Sequence, residues 1–138
     1  MSEGIDKEMA MSEYYKDRNM TLNEYQKGAM STCLDSCENF MYMLSGLTAE
    51  VGEVNDKIAK AIRKGWIKID NNNIVYQIEK GCPLSFVDEL VKEISDVQWF
   101  VAGMSHILNE TLGSVGKINL DKLAARKEQG TIITHTDH

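Results

Sequence analysis

Two stretches of the chain repeat their apolar residues with the 3.6-residue period of an amphipathic helix. In the first, Met43, Leu47, Val51, Val54, Ile58 and Ala61 form one stripe. In the second the stripe is Leu90, Ile94, Val97, Phe100, Val101, Met104 and Leu108. Start and stop signals frame the helices around them. Thr21 with Glu24 reads as a capping box that opens a first helix running to roughly Cys37. The second helix is expected from about Asn39 to Lys64, stopped at Gly65, with Lys57, Lys60, Arg63 and Lys64 suiting its C-terminal dipole. Ser85 as N-cap, with Asp88 as box partner, opens a third helix to about Thr111. Gly113 and Gly116 are read as a turn, and a fourth helix spans roughly Ile118 to Gln129 before Gly130.

Between the second and third helices the period changes. Residues 66–70 and 74–78 read as two short strands around the Asn71–Asn73 turn, a β-hairpin insertion. The pattern predicts an all-α, four-helix bundle-like fold carrying that small hairpin. A polar arm over residues 1–20, one domain over 21–133 and a loose tail over 134–138 complete the expected organisation.

Within this frame four carboxylates stand out. Glu50 and Glu53 are spaced i, i+3, as are Glu93 and Asp96, so each pair shares a helix face. Glu50 falls at the margin of the first stripe, Glu93 lies within the second, and Asp96 lies just outside it. Because such stripes bury against each other, the acids are expected to meet at a helix–helix seam. Carboxylates converging there repel one another and lose hydration, which a divalent cation relieves. Oxygen-only ligands suit Mg²⁺, or Mn²⁺ in its place. The competing reading of a single E-x-x-E pair is a solvated face. Glu89 reads as an exposed neighbour or a support for Glu93.

Composition narrows the picture. The chain has 138 residues, 43% hydrophobic and 26% charged, with a net charge of −6. That charge argues against binding polymeric nucleic acid. No apolar run is long enough for a membrane span, and no secretory signal is visible at the start. Three cysteines without framework spacing fit a reducing cytoplasm. Cys33 and Cys37 are expected on one helix face as small packing residues. A di-iron bundle would need Glu-x-x-His, and His106 follows Gly103 instead. His135 and His138 sit in the tail and carry no site. Lys122 and Arg126, with Asn119 one turn earlier, form either a solvated face or a phosphate clamp on the fourth helix. Lys57, one turn past Glu53, is a similar candidate. Trp99 is open to stacking a base, whereas Phe100 belongs to the stripe.

The segments Gly46–Val54, Glu89–Phe100 and Asn119–Leu123 with Arg126–Gly130 resemble the MazG-like nucleoside triphosphate pyrophosphohydrolases, an all-α superfamily. The resemblance runs from about Leu22 to Ile133. It implies Mg²⁺ on Glu50, Glu53, Glu93 and Asp96, with Glu50 and Glu53 as candidates for positioning the attacking water. It also implies that Asn119, Lys122 and Arg126 face the triphosphate, which is cleaved between its α- and β-phosphates. Homodimers or homotetramers, with sites near subunit interfaces, are part of the same expectation. So is a phage-type member, since small single-domain proteins of this kind occur in bacteriophages. The chain departs from the pattern in its hairpin and in a shortened Gly113–Gly116 turn. The rival readings are a helical interaction module and a phosphohydrolase acting on another nucleotide polyphosphate.

Overall fold

A computed structural model describes residues 19–130. Most of the 1–20 arm, the 134–138 tail, His135 and His138 therefore lie outside the described residues. The fold is all-α, with four helices among the described residues: α1 (Leu22–Met30), α2 (Phe40–Arg63), α3 (Phe86–Ile107) and α4 (Leu112–Glu128). A two-stranded antiparallel hairpin, β1 (Ile67–Asp70) and β2 (Asn73–Tyr76), sits between α2 and α3. None of these helices is long and apolar enough to cross a membrane.

Local chemistry explains most of the boundaries. Thr21 and Glu24 form the reciprocal capping box, with both bonds at 3.1 Å. α1 nevertheless stops at Met30, short of Cys37, because Ser31 and Thr32 turn their hydroxyls back onto the carbonyls of Gly28 and Ala29. Cys33 and Cys37 therefore share no helix face; Cys37 closes a short 3₁₀ turn, Asp35–Cys37. Asn39 caps α2 by accepting from the Tyr42 N–H at 2.8 Å. Gly65 ends that helix at φ 72°. The hairpin pairs Ile67 with Tyr76 and Ile69 with Ile74. Asn71 and Asn72 supply the two positive φ values (49° and 64°) that a tight two-residue turn needs.

Three expected features differ. Ser85 makes no backbone cap and no box with Asp88; its hydroxyl donates to Glu89 Oε1 at 3.1 Å. α3 ends at Ile107, where Asn109 adopts φ 59°. Gly113 and Gly116 form no turn, because α4 already begins at Leu112. Thr111 caps it, accepting from the Ser114 N–H. α1 supplies further caps: Asn23 Oδ1 accepts from the Gly113 N–H at 2.8 Å and Gln26 Oε1 from the Leu112 N–H at 3.0 Å. Buried Gln26 also donates to the carbonyls of Ala102 and Glu110, tying α1, α3 and α4 together.

The core lies in two clusters. One joins Ala61, Ile67, Cys82 and Phe86 under the hairpin, and the other joins Ala29, Ala102 and Leu112. Between them α2 and α3 form the most extensive helix pair. Two glycines let these helices approach: a side-chain carbon at Gly46 would collide with the Phe100 ring, and one at Gly103 with the Met43 side chain. Residues 117–130 of α4 and the turn after it are exposed throughout.

Candidate metal centre

The close pairing of α2 and α3 brings together acids that lie 43 or more positions apart in sequence. Carboxylate oxygens of Glu50, Glu93 and Asp96 all lie within 4.8 Å of one another. Glu50 and Glu93 are half-buried and Asp96 is exposed. Burial holds the Glu50 carboxyl above the usual carboxylate range, and the charges of Asp96, Glu93 and Glu53 push it further up. The same field reaches Tyr25, whose phenol is raised by burial and then by Asp96. Three anionic oxygens with no sulfur or imidazole among them make a hard-cation donor set, which fits Mg²⁺ or Mn²⁺. Glu53 does not join this group. It is exposed and faces a neighbouring cleft.

Lys57 crosses from α2 to α3 and binds Glu93 at 3.2 Å and Glu89 at 3.7 Å. One cation thus balances part of the acid cluster within the chain. Glu89 is exposed and also accepts from Ser85. On the far flank, Trp99 is half-buried and its indole N–H donates to Thr32 Oγ1 at 3.0 Å. Its ring meets Phe100 edge-on at 5.0 Å, and Phe100 lies 5.8 Å from Tyr42. His106 pairs with Glu38 at 2.8 Å rather than joining the acids. Asn119, Lys122 and Arg126 stand on the exposed half of α4. None of them is among the residues lining the cleft beside the cluster.

That cleft is the part sequence reasoning missed. It encloses about 280 Å³ between the last turns of α2 and the first turns of α3. Its walls carry Glu53, Asp56, Glu89 and Glu93 against Lys57, Lys60 and Lys64, with Trp66 and Phe86 at one end. The i, i+3, i+7 spacing of the three lysines was a signal for a common face. The same lysines also suit a helix C-terminus, which hid their second role.

The Gene 37 protein of Mycobacterium phage L5 is 32% identical to this chain over 120 residues, covering 82% of this chain and 94% of that protein. No family model matches the chain, and no solved structure does. The chain belongs to the family of the phage L5 Gene 37 protein.

Proposed function

We propose that this chain is a Mg²⁺-dependent nucleoside triphosphate pyrophosphohydrolase of the MazG-like kind, acting on ribo- or deoxyribonucleotides in the cytoplasm. One observation carries the reading: the meeting of Glu50, Glu93 and Asp96 across the α2–α3 seam. The resemblance of the segments that hold them supports it.

These three acids would hold the metal, with Glu53 beside them. A bound Mg²⁺ would supply charge neutralisation for the phosphate oxygens and for the pyrophosphate leaving group. The chain's own groups do the rest. Glu50 is one candidate to position the attacking water and take its proton. Glu53 is the other candidate for that role. Lys57 orients Glu93 through its 3.2 Å ion pair. The products are the nucleoside monophosphate and pyrophosphate.

The assembly is a homodimer or a homotetramer built from dimers. Two surfaces support this. A groove of about 430 Å³ along α2 and α3 is lined by Val51, Val54, Ile58, Ile94 and Val97, with Asn55 the one polar wall. Ile118, Leu120 and Leu123 are exposed on α4. A second copy covers such faces, and across the subunit boundary Asn119, Lys122 and Arg126 reach the triphosphate.

The interaction-module reading needs Lys57, Lys60 and Arg63 for contacts between subunits, and two of the three are already paired. Lys57 is engaged with Glu89 and Glu93, and Lys60 with Asp56 at 2.7 Å, within one chain. Product analysis tests the proposal. Monophosphate plus pyrophosphate, lost with EDTA, is expected. Diphosphate plus orthophosphate would overturn the cleavage site, and EDTA-resistant turnover the metal role.

A further inference from the structure

We propose that the cleft beside the acid cluster receives the nucleobase, stacked on Trp66. This rests on the nucleotide reading above and adds where the base lies.

Glu93 belongs to both the acid cluster and the cleft wall, so the two are continuous. From Glu93 to Phe86 is about 10 Å along α3 at 1.5 Å per residue. A nucleoside with its first phosphate spans such a length. The cleft volume of about 280 Å³ holds part of a nucleotide, not all of it. Charge decides which part. The lining sets four carboxylates against three ammonium groups, so a polyphosphate tail gains no attraction there. A neutral, flat heterocycle with donors and acceptors on its edge does, since the carboxylates accept from amino or imino groups and the lysines donate to ring oxygens and nitrogens.

Trp66 supplies the stacking face, and its surroundings fix it in place. Its backbone N–H donates to the Ala61 carbonyl at 2.9 Å, and its backbone carbonyl accepts from the Gln77 N–H at 2.7 Å. Its ring packs against the Ala61–Ile67–Cys82–Phe86 core. Gly81, at φ 96°, passes close to the indole nitrogen. Lys64 sits over the ring, 4.2 Å from the centroid. That position on the π-face is where a base would stack, with Lys64 displaced along its flexible stem. Trp66 and Gly81 both belong to the segment that departs from the MazG-like pattern. The insertion thus becomes a base-reading wall.

The test uses ribo- and deoxyribonucleoside monophosphates as probes, with inorganic tripolyphosphate as control. Monophosphates should quench tryptophan fluorescence in the wild type, and tripolyphosphate should not. The quench should vanish in Trp66→Phe, which keeps a ring and the fold but leaves only Trp99 to report. In steady-state hydrolysis, Trp66→Leu should raise KM about tenfold with kcat little changed, and Trp66→Phe should restore most of it. Should Trp66→Leu fail to fold by circular dichroism, the quenching comparison alone decides. A quench of equal size in Trp66→Phe would put the base at Trp99 and overturn the proposal, as would no quench in the wild type. Quenching through Trp66 without any triphosphate hydrolysis would keep this site and sink the hydrolase reading. Hydrolysis with neither quenching nor a KM change in Trp66→Leu would do the reverse.

Discussion

Glu50→Gln isolates the repulsion stored at the α2–α3 seam. The carboxylate oxygens of Glu50, Glu93 and Asp96 lie within 4.8 Å of one another. Two unit charges at that separation cost about 0.9 kcal/mol in bulk water and about 3.5 kcal/mol at an effective dielectric of 20. Asp96 is exposed and Glu50 only half-buried, so the watery figure applies. Removing the Glu50 charge cancels two such pairs and keeps the side chain's shape. The metal-free variant should therefore be about 1–2 kcal/mol more stable than wild type, or roughly 3–10 °C in melting temperature. Glu93→Gln cancels two repulsions as well, but it also loses the 3.2 Å attraction to Lys57, so it should be near neutral. The assay is thermal or urea unfolding at fixed protein concentration in EDTA, repeated with excess Mg²⁺. At a hundred times its dissociation constant, Mg²⁺ should stabilise the wild type by about 2.7 kcal/mol. Both variants should gain much less and lose hydrolysis. Metal-free Glu50→Gln less stable than wild type by about 1 kcal/mol or more would refute the reasoning. Glu50 would then be a structural partner rather than a crowded ligand.

Four further outcomes are expected. Because the Glu50 carboxyl is raised in the folded state, its charged form is disfavoured there. Metal-free stability should therefore fall as pH climbs from the ordinary carboxylate value of about 4.3 through the raised one, and a pH series of melts should show this slope flattened in Glu50→Gln. Asp96, Glu93, Glu53 and the Lys57 ammonium surround the same carboxyl, and a slope left unchanged by the substitution would contradict its assignment to Glu50. Gly46→Ala forces a methyl group into the Phe100 ring, and urea melts should show a loss of about 1–3 kcal/mol; an unchanged midpoint would mean that the seam can widen freely. Lys122→Ala and Arg126→Ala should each cost about 1.5–3 kcal/mol in kcat/KM without loss of fold. An equal mixture of Glu50→Gln and Arg126→Ala, refolded together as dimers, should recover about a quarter of wild-type activity if the cation acts across the interface, and nothing beyond the parents if it does not.

How much of this was legible in the sequence follows from the range of each interaction. The Thr21–Glu24 box, the Asn39 cap, the Gly65 stop and the asparagine turn are local, and their residues announce them. α4 was misread because its first five residues include Gly113 and Gly116. Its orphan N–H groups are bound by Asn23 and Gln26, about 90 residues earlier, which no local window contains. Ser85 looked like a cap, but its αR backbone leaves its hydroxyl to Glu89. The spacing of the acids fixed which faces they share. Helix rotation decided that Glu50, Glu93 and Asp96 converge while Glu53 turns to the cleft. Trp66 could be read as a strand residue, yet its place at the cleft depends on how the hairpin folds back onto α2 and α3.

The central claim is the reaction itself. Purified protein incubated with each ribo- and deoxyribonucleoside triphosphate and Mg²⁺ should release pyrophosphate and the monophosphate in equal amounts, with Glu50→Gln inactive on the same panel. No turnover of any triphosphate, or the same turnover in Glu50→Gln as in wild type, would contradict the account.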